Sequence, residues 1–332
     1  MNICFLDKTS FTYNSNDVDS YKLRGAETVL INIANSLTKL GHHVTVINNC
    51  KHNEQINHID WININNLTKK FYFDLAISNN DCQLFDKIIA KKKILLSHSV
   101  QNIEKFIRKK QLLSYFKHKP KVALLGNYHL KKRSFITRMF GYFILPYGVD
   151  QIFINSKIKD NNLIDNELAI FTSRPDRNLD LLINIWENNI HPNFKNAKLL
   201  ITPKKNFSNK NSNIYPRITG NRSIMIDDLC SSRMLLLPGH EAELFCLAAE
   251  EARELCLPII TLGIGSLSER VIHGVTGFIA KNDDEFSQYT LNLFKDDKLW
   301  NDLRLNLFNL RGKKTWDKCA QTLIDNIELF KF

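Results

Sequence analysis

The chain lacks any apolar run long enough to cross a bilayer. Its most apolar stretch, Phe135 to Val149, is broken by Arg138 and Pro146, well short of the roughly 18 residues that a span requires. It also lacks the opening of an exported protein: MNICFLD reaches an acid at Asp7 after a very short apolar run, whereas a secretory signal needs a basic start followed by about 7 to 15 apolar residues. Seven cysteines (Cys4, Cys50, Cys82, Cys230, Cys246, Cys256, Cys319) are scattered, with no CxxC pair and no metal-site spacing to histidine. That excludes a zinc module and a disulfide framework, and a reducing cytoplasm is expected. With 44% apolar and 24% charged residues the chain is not a disordered one, and no fixed short period suggests a solenoid. Acidic residues nearly vanish from one stretch. Residues 87–138 hold 15 Lys/Arg against Glu104 alone, in a chain whose net charge is +11.

What is present is an alternation. At 332 residues the chain exceeds what one core supports, so two domains are expected. Short apolar runs (NICFL, HVTVI, FDLAIS, KKILLSH, KVALLG, YFILP) alternate with helical patterns such as TVLINIANSLTKL, which predicts a parallel sheet built from right-handed βαβ units. After the polar segment Asn155 to Asn166 the rhythm restarts with ELAIFTS, LDLLINIW, AKLLITP, RMLLLP, LPIITLG and GFIA. The stretch KKNFSNKNSNIY between Pro203 and Pro216 reads as a polar loop, and Trp316 to Phe332 as a closing helix, with Cys319, Leu323, Ile324, Ile327, Leu329 and Phe330 on its apolar face.

The most informative segment runs from Pro238 to Ala280. Glu243 sits in a strand-to-helix turn, and Glu251 follows eight residues later in the helix-favouring run LAAEEARELC, which places it about two turns into the helix. The first N–H groups of such a helix suit a phosphate oxygen. Carboxylates beside them accept hydrogen bonds from sugar and ribose hydroxyls. By spacing alone, the pair reads more readily as two glutamates on a solvated helix.

The wider pattern adds to this reading. Glu243, Phe245, Leu247, Glu251, Ala252, Pro258, Ile259, Ile260, Gly265, Glu269, Gly274, Thr276, Gly277 and Phe278 together resemble the retaining glycosyltransferases of family 4 (glycosyl transferases group 1). Cys246 and Cys256 stand where that pattern has glycine. FTSRPDRNLDLLINIW resembles the family's basic loop after the first strand of the donor domain, and LRGAETVLINIANSLTKLGHHVTVI its opening, with Arg24 in place of one of two glycines. LPYGVD and ITGN, around Gly220, are similar to further family segments.

The resemblance implies an α/β fold of GT-B architecture: two Rossmann-like, doubly wound parallel-sheet domains facing a cleft, with a C-terminal helix crossing back to the first domain. Residues 1–148 with 312–332 would form the acceptor-side domain, and residues 149–311 the nucleotide-sugar domain. The implied activity is transfer of a hexose from a nucleotide-sugar donor to a glycan or lipid-linked acceptor, with retention of configuration, in cell-surface polysaccharide or lipopolysaccharide synthesis. Glu243, His98 and Arg177 would be catalytic. Gly25, Arg174, Arg177, Glu243, Phe245, Cys246, Leu247 and Glu251 would bind the nucleotide-sugar, with Arg174 and Arg177 gripping the diphosphate through paired N–H bonds. His98 ends the strand KKILLSH, where parallel-sheet enzymes place functional groups, although a packed histidine fits the sequence too. No metal and no cofactor is expected.

Other readings are another GT-B enzyme, a nucleotide-sugar epimerase or a phosphorylase, and a non-enzymatic basic scaffold that binds nucleic acid. No nucleic-acid-binding signature accompanies the charge. The basic stripe Lys87 to Arg138 fits a solvated surface, or peripheral contact with the inner face of an anionic membrane or with a phosphorylated glycan.

Overall fold

The structure, a computed structural model, describes residues 1–18, 23–205, 207, 212–218 and 220–329. Outside them lie part of the polar run before Gly25 (19–22), much of the expected loop (206 and 208–211), residue 219 of ITGN and residues 330–332 of the closing helix. The chain divides into two compact units, Met1–Gly148 with Lys314–Phe332, and Val149–Lys313.

The first unit is an eight-stranded sheet with helices. In chain order its elements are β1 (Asn2–Leu6), α1 (Gly25–Lys39), β2 (His43–Asn48), β3 (Glu54–Ile56), β4 (Ile59–Asn63), β5 (Tyr72–Asn79), β6 (Ile89–Leu96), α2 (Ile103–Arg108), α3 (Leu112–His118), β7 (Lys121–Leu124), α4 (Asn127–Lys132) and β8 (Tyr142–Ile144). The sheet order is β3-β4-β2-β1-β5-β6-β7-β8, parallel throughout except for β3, which runs antiparallel to β4. Central strands of such a sheet are covered on both faces and so read as continuous apolar runs. Ile3, Cys4, Phe5 and Leu6 are accordingly all buried.

In α1 the buried Val29, Leu30, Ile33, Ala34 and Leu37 recur at helical spacing. Its start is closed by Glu27, whose carboxylate accepts the Arg24 N–H at 3.2 Å, and it ends in a turn through Gly41 at φ +83°. The last helix of the chain, spanning Trp316–Leu329, packs on α1, where Ser36 Oγ donates to Asp317 at 2.6 Å. Gly148 permits its approach: a Cβ there would lie 2.3 Å from the Trp316 nitrogen.

The second unit comprises α5 (Gln151–Asn155), β9 (Asp165–Phe171), α6 (Leu179–Ile185), β10 (Lys198–Ile201), β11 (Ile214–Pro216), α7 (Arg222–Ser231), β12 (Ser232–Gly239), α8 (Leu247–Glu254), β13 (Ile259–Ile264), β14 (Gly277–Ile279), α9 (Asp283–Lys295) and α10 (Asp297–Leu310); the helix packed on α1 is therefore α11. The order is β11-β10-β9-β12-β13-β14, all parallel. Ile170, Phe171, Leu235, Leu236, Ile259, Ile260, Trp186 and Trp300 fill the core.

Two local expectations are corrected. Ile214 and Tyr215, read as the end of a loop, pair with Leu199 and Leu200 as the edge strand β11. The stripe Lys87 to Arg138 is not one solvated face, because Arg133 and Lys121 are buried. Arg133 donates to Ser97 Oγ, Gln101 Oε1 and the Thr137 carbonyl, which satisfies a guanidinium inside the fold. Among the described residues no helix is long and apolar enough to cross a membrane.

Candidate active site

Each sheet has a switch point, where the chain turns first to one side of a strand and then to the other; ligands of open α/β sheets bind at the carboxyl ends there. In the second unit the switch lies between β9, which leads to β10, and β12. The loop after β9 carries Arg174 and Arg177, and the loop after β12 carries Glu243.

The two loops are tied together. Asn178, left-handed at φ +63°, donates its side-chain amide to the Gly239 carbonyl at 2.6 Å. Arg177 Nε lies 3.4 Å from Glu243 Oε2, with both side chains partly open to solvent at 17% and 24%. Asp176 accepts from Arg174 Nη2 and Arg177 Nη1 at 2.9 Å each. Arg174 is the more exposed of the two, at 64%.

Backbone crowding shapes the loop that holds Glu243. A Cβ on Gly239 (φ +96°) would meet the Ile264 carbonyl oxygen at 2.4 Å, and one on Gly265 (φ +77°) the His240 carbonyl oxygen at 2.3 Å. Only glycine fits both. The Glu243 N–H closes a turn onto the His240 carbonyl, and its own carbonyl accepts the Ser266 N–H, each at 2.9 Å.

Helix α8 then begins at Leu247, because Cys246 adopts the left-handed conformation at φ +63° and caps it. Glu251 is the fifth residue of α8, so it stands just over one turn in rather than two. Phe245 and Cys246 are buried. The Arg270 guanidinium stacks 4.2 Å from the Phe245 ring centroid and donates to the Phe245 carbonyl. What these two positions can offer a ligand is therefore backbone, while Leu247 is half-buried at the first helical position.

The acids of α8 divide by role. Glu250 is buried and paired with Arg253 and Arg270, and buried Glu254 accepts from Arg253 and from the Gly312 N–H. Glu251 is only partly buried, and its carboxylate makes no hydrogen bond or ion pair among the described residues. Burial pushes its carboxyl up to about 7; Arg222 pulls it down and Asp150 pushes it further up. Arg222 and Asp150, paired with each other, are site neighbours that the sequence did not single out.

Gly25 is exposed at the first position of α1, in the first unit. His98 is also in the first unit, after β6, with both ring nitrogens occupied. Nε2–H donates to Asn79 Oδ1 at 3.1 Å, and Nδ1 accepts from Tyr147 at 3.0 Å. Desolvation lowers its pKa to about 4, so the ring is neutral at physiological pH.

The first unit has its own switch-point pocket, between β1 and β5, with a volume of about 480 Å³. Asp7, Arg24, Glu27, Asn79, Lys109 and Gln111 are among its lining residues. Asp7 accepts from the Tyr13 hydroxyl at 2.5 Å, and burial raises its pKa to about 6. The sequence signal for this pocket was an acid directly after the first strand. Among the described residues no three His, Cys, Asp or Glu side chains converge as metal ligands would.

Residues 167–296 match the family model described as Glycosyl transferases group 1. This segment belongs to the group 1 glycosyltransferases. No curated protein matches the chain by sequence. Among solved structures, the same fold recurs over the whole chain. HepE of Anabaena in complex with UDP gives a TM-score of 0.71 at 14% identity, covering 99% of this chain and 100% of that one. Sucrose-phosphate synthase of Thermosynechococcus elongatus gives 0.70 at 11% identity, covering 98% of each. WaaG, a glycosyltransferase of lipopolysaccharide biosynthesis, gives 0.68 at 14%, covering 99% and 100%. At these identities the likeness is one of fold, and the fold is GT-B.

Proposed function

We propose that this chain is a retaining hexosyltransferase that takes its sugar from a nucleotide-sugar held at the second unit's switch point. The observation that carries the proposal is the Arg177–Glu243 pair at 3.4 Å, brought together from two loops at the carboxyl ends of β9 and β12. Arg177, with Arg174, offers guanidinium N–H groups to a diphosphate, and the first N–H groups of α8 add their partial positive charge. Glu243 accepts hydrogen bonds from hydroxyls of the transferred hexose. Glu251, whose carboxylate makes no hydrogen bond or ion pair among the described residues, accepts from the ribose. Hydrogen bonds to charged groups contribute about 1.5–3 kcal/mol each, so each carboxylate governs roughly one to two decades of affinity or rate.

In this reading the bond from the anomeric carbon to the diphosphate oxygen breaks, and the acceptor oxygen bonds to that carbon on the same face. The departing diphosphate takes the acceptor's proton, while arginines and helix amides stabilise its charge. Catalysis is positioning and electrostatics, with no metal required. His98, tied at both nitrogens and neutral, orients groups near Asn79 rather than shuttling a proton. We assign the acceptor, a glycan or a lipid-linked sugar of cell-surface polysaccharide or lipopolysaccharide synthesis, to the pocket lined by Asp7, Glu27 and Asn79. Seven buried, unpaired cysteines suit a reducing compartment. HepE has been crystallised with UDP and with UDP-glucose, which makes uridine nucleotides the first to try. The test is incubation with a panel of nucleotide-sugars, with and without oligosaccharide or lipid-linked acceptors, following nucleotide release and the anomeric configuration of the product. Release from no donor, by a protein shown to be folded, would sink the reading.

A further inference from the structure

Three neighbouring strands of the first sheet, β1, β5 and β6, end side by side, and the residues that end or follow them include Asp7, Asn79 and His98. Parallel strands about 4.8 Å apart bring such residues within reach of one another. Hydrogen bonds join them into a row. The Tyr147 hydroxyl donates to His98 Nδ1 at 3.0 Å, and His98 Nε2–H donates to Asn79 Oδ1 at 3.1 Å. With its oxygen so engaged, the Asn79 amide offers its N–H groups to Asp7, whose pKa it pulls down. The Tyr13 hydroxyl donates to Asp7 as well. Tyr13 is itself fixed, because Asn48 Nδ2 donates to its carbonyl at 3.0 Å and its ring meets Trp61 edge-on at 6.0 Å.

The pocket that Asp7 lines holds a second buried acceptor. Gln111 is 3% exposed, its Nε2 donates to the Asn80 carbonyl at 3.0 Å, and its Oε1 has no hydrogen-bond partner among the described residues. Buried acceptors are rarely left open in a fold, so this one points to a ligand that donates. Lys8, Arg24 and Lys109 line the same pocket but are exposed. Its buried wall is therefore made of oxygen acceptors, which suit hydroxyl groups and repel an anion.

We propose that Asp7 and Gln111 accept hydrogen bonds from hydroxyl groups of a neutral hexoside acceptor, and that His98 is a positioning residue acting on Asp7 through Asn79. The proposal rests on the transferase reading above, which supplies an acceptor to bind. Only the ionised carboxylate accepts from hydroxyls at both oxygens, so hexoside binding strengthens as pH rises through the pKa of Asp7. Burial holds that pKa up at about 6; Tyr13, the Lys8 N–H and Asn79 pull it down, and the charge of Glu27 on α1 pushes it up. Arg24, Asp81 and Lys109 are further charged groups on the same pocket wall.

The experiment is a saturation-transfer NMR titration of the full chain with the methyl glycosides of glucose, galactose, mannose and N-acetylglucosamine from pH 5 to pH 8, beside calorimetric titration of nucleoside diphosphates. At least one hexoside should bind, about ten-fold more tightly at pH 8 than at pH 5, with a midpoint near 6. Asp7→Asn should weaken binding about ten-fold at pH 8 and flatten the profile. His98→Ala and Tyr13→Phe each weaken the support of the carboxylate and should move the midpoint to higher pH. His98→Gln, whose amide still donates to Asn79, should restore it. Tyr13→Phe removes a single hydroxyl and serves where His98→Ala does not fold. The inference is overturned if no hexoside binds a chain that binds nucleotide, if Asp7→Asn keeps the affinity and profile of wild type, or if Tyr13→Phe, or a folded His98→Ala, leaves the midpoint in place. Loss of hexoside and nucleotide binding alike, in a folded chain, overturns the transferase reading as well.

Discussion

Arg177 Nε stands 3.4 Å from Glu243 Oε2, although 66 positions of sequence separate them. Neither residue is anchored by its own helix. Both are held because Asn178 donates to the Gly239 carbonyl at 2.6 Å and locks one loop onto the other. Removing either member of the pair should therefore have different consequences. Arg177→Ala removes the proposed diphosphate ligand and should weaken nucleoside diphosphate binding at least ten-fold by titration calorimetry. Glu243→Ala should leave that binding within about three-fold while lowering the transfer rate about ten- to hundred-fold, because in the proposed site it holds the sugar and not the nucleotide.

The raised pKa of Glu251 ties affinity to pH. Burial raises its carboxyl to about 7 against an ordinary value of 4.5, so at pH 6 it is mostly protonated and, in the proposed donor site, unable to accept from two ribose hydroxyls. Nucleotide affinity should rise from pH 6 to pH 8 in wild type. In Glu251→Gln that rise should be absent.

The same group predicts a stability change of opposite sense. Between pH 4.5 and 7 the folded state binds more protons at Glu251 than the unfolded chain, so stability falls as pH rises through this window and stays lower above it. Glu251→Gln should thus raise the unfolding free energy at pH 8 by about 2 kcal/mol, a substantial part of what a shift of this size is worth, and change little at pH 4. Urea melts at the two pH values check it.

Glycine is required at two crowded positions. Gly239→Ala and Gly265→Ala each place a Cβ within 2.4 Å of a backbone oxygen at positive φ. Each should cost about 2–4 kcal/mol in urea unfolding and reduce transfer by displacing Glu243. Cys256 makes the complementary case. It is buried and left-handed at φ +56°, so Cys256→Gly should stay within about 1 kcal/mol of wild type, as lost packing offsets relieved strain, while β-branched Cys256→Val should cost about 2 kcal/mol or more.

Much of this was legible in the sequence, for physical reasons. Apolar runs such as NICFL and RMLLLP mark strands buried on both faces, and the glycine pattern near residues 239–277 marks backbone crowding. Cys246 and Cys256, which stand where the family pattern has glycine, are both left-handed, a conformation that glycine adopts at no steric cost. What the sequence hides is which side chains a distant residue consumes. Phe245 sits between two apparent ligands yet is buried under Arg270, 25 positions on. His98 ends a strand as a functional group would, but Tyr147 and Asn79 occupy its nitrogens. Arg133 looks like any other cation of the basic stripe until Ser97, Gln101 and Thr137 are seen to enclose it. Glu250, Glu251 and Glu254 are indistinguishable by composition, and only the pairing of the first and last with arginine sets Glu251 apart.

The most direct measurement is calorimetric titration of uridine, guanosine, adenosine, cytidine and thymidine diphosphates into wild type, Arg177→Ala and Glu251→Ala at pH 8. The account predicts one-to-one binding of at least one nucleotide to wild type, weakened ten-fold or more in both variants, with their unfolding midpoints showing both to be folded. Binding of equal strength in all three proteins would contradict it.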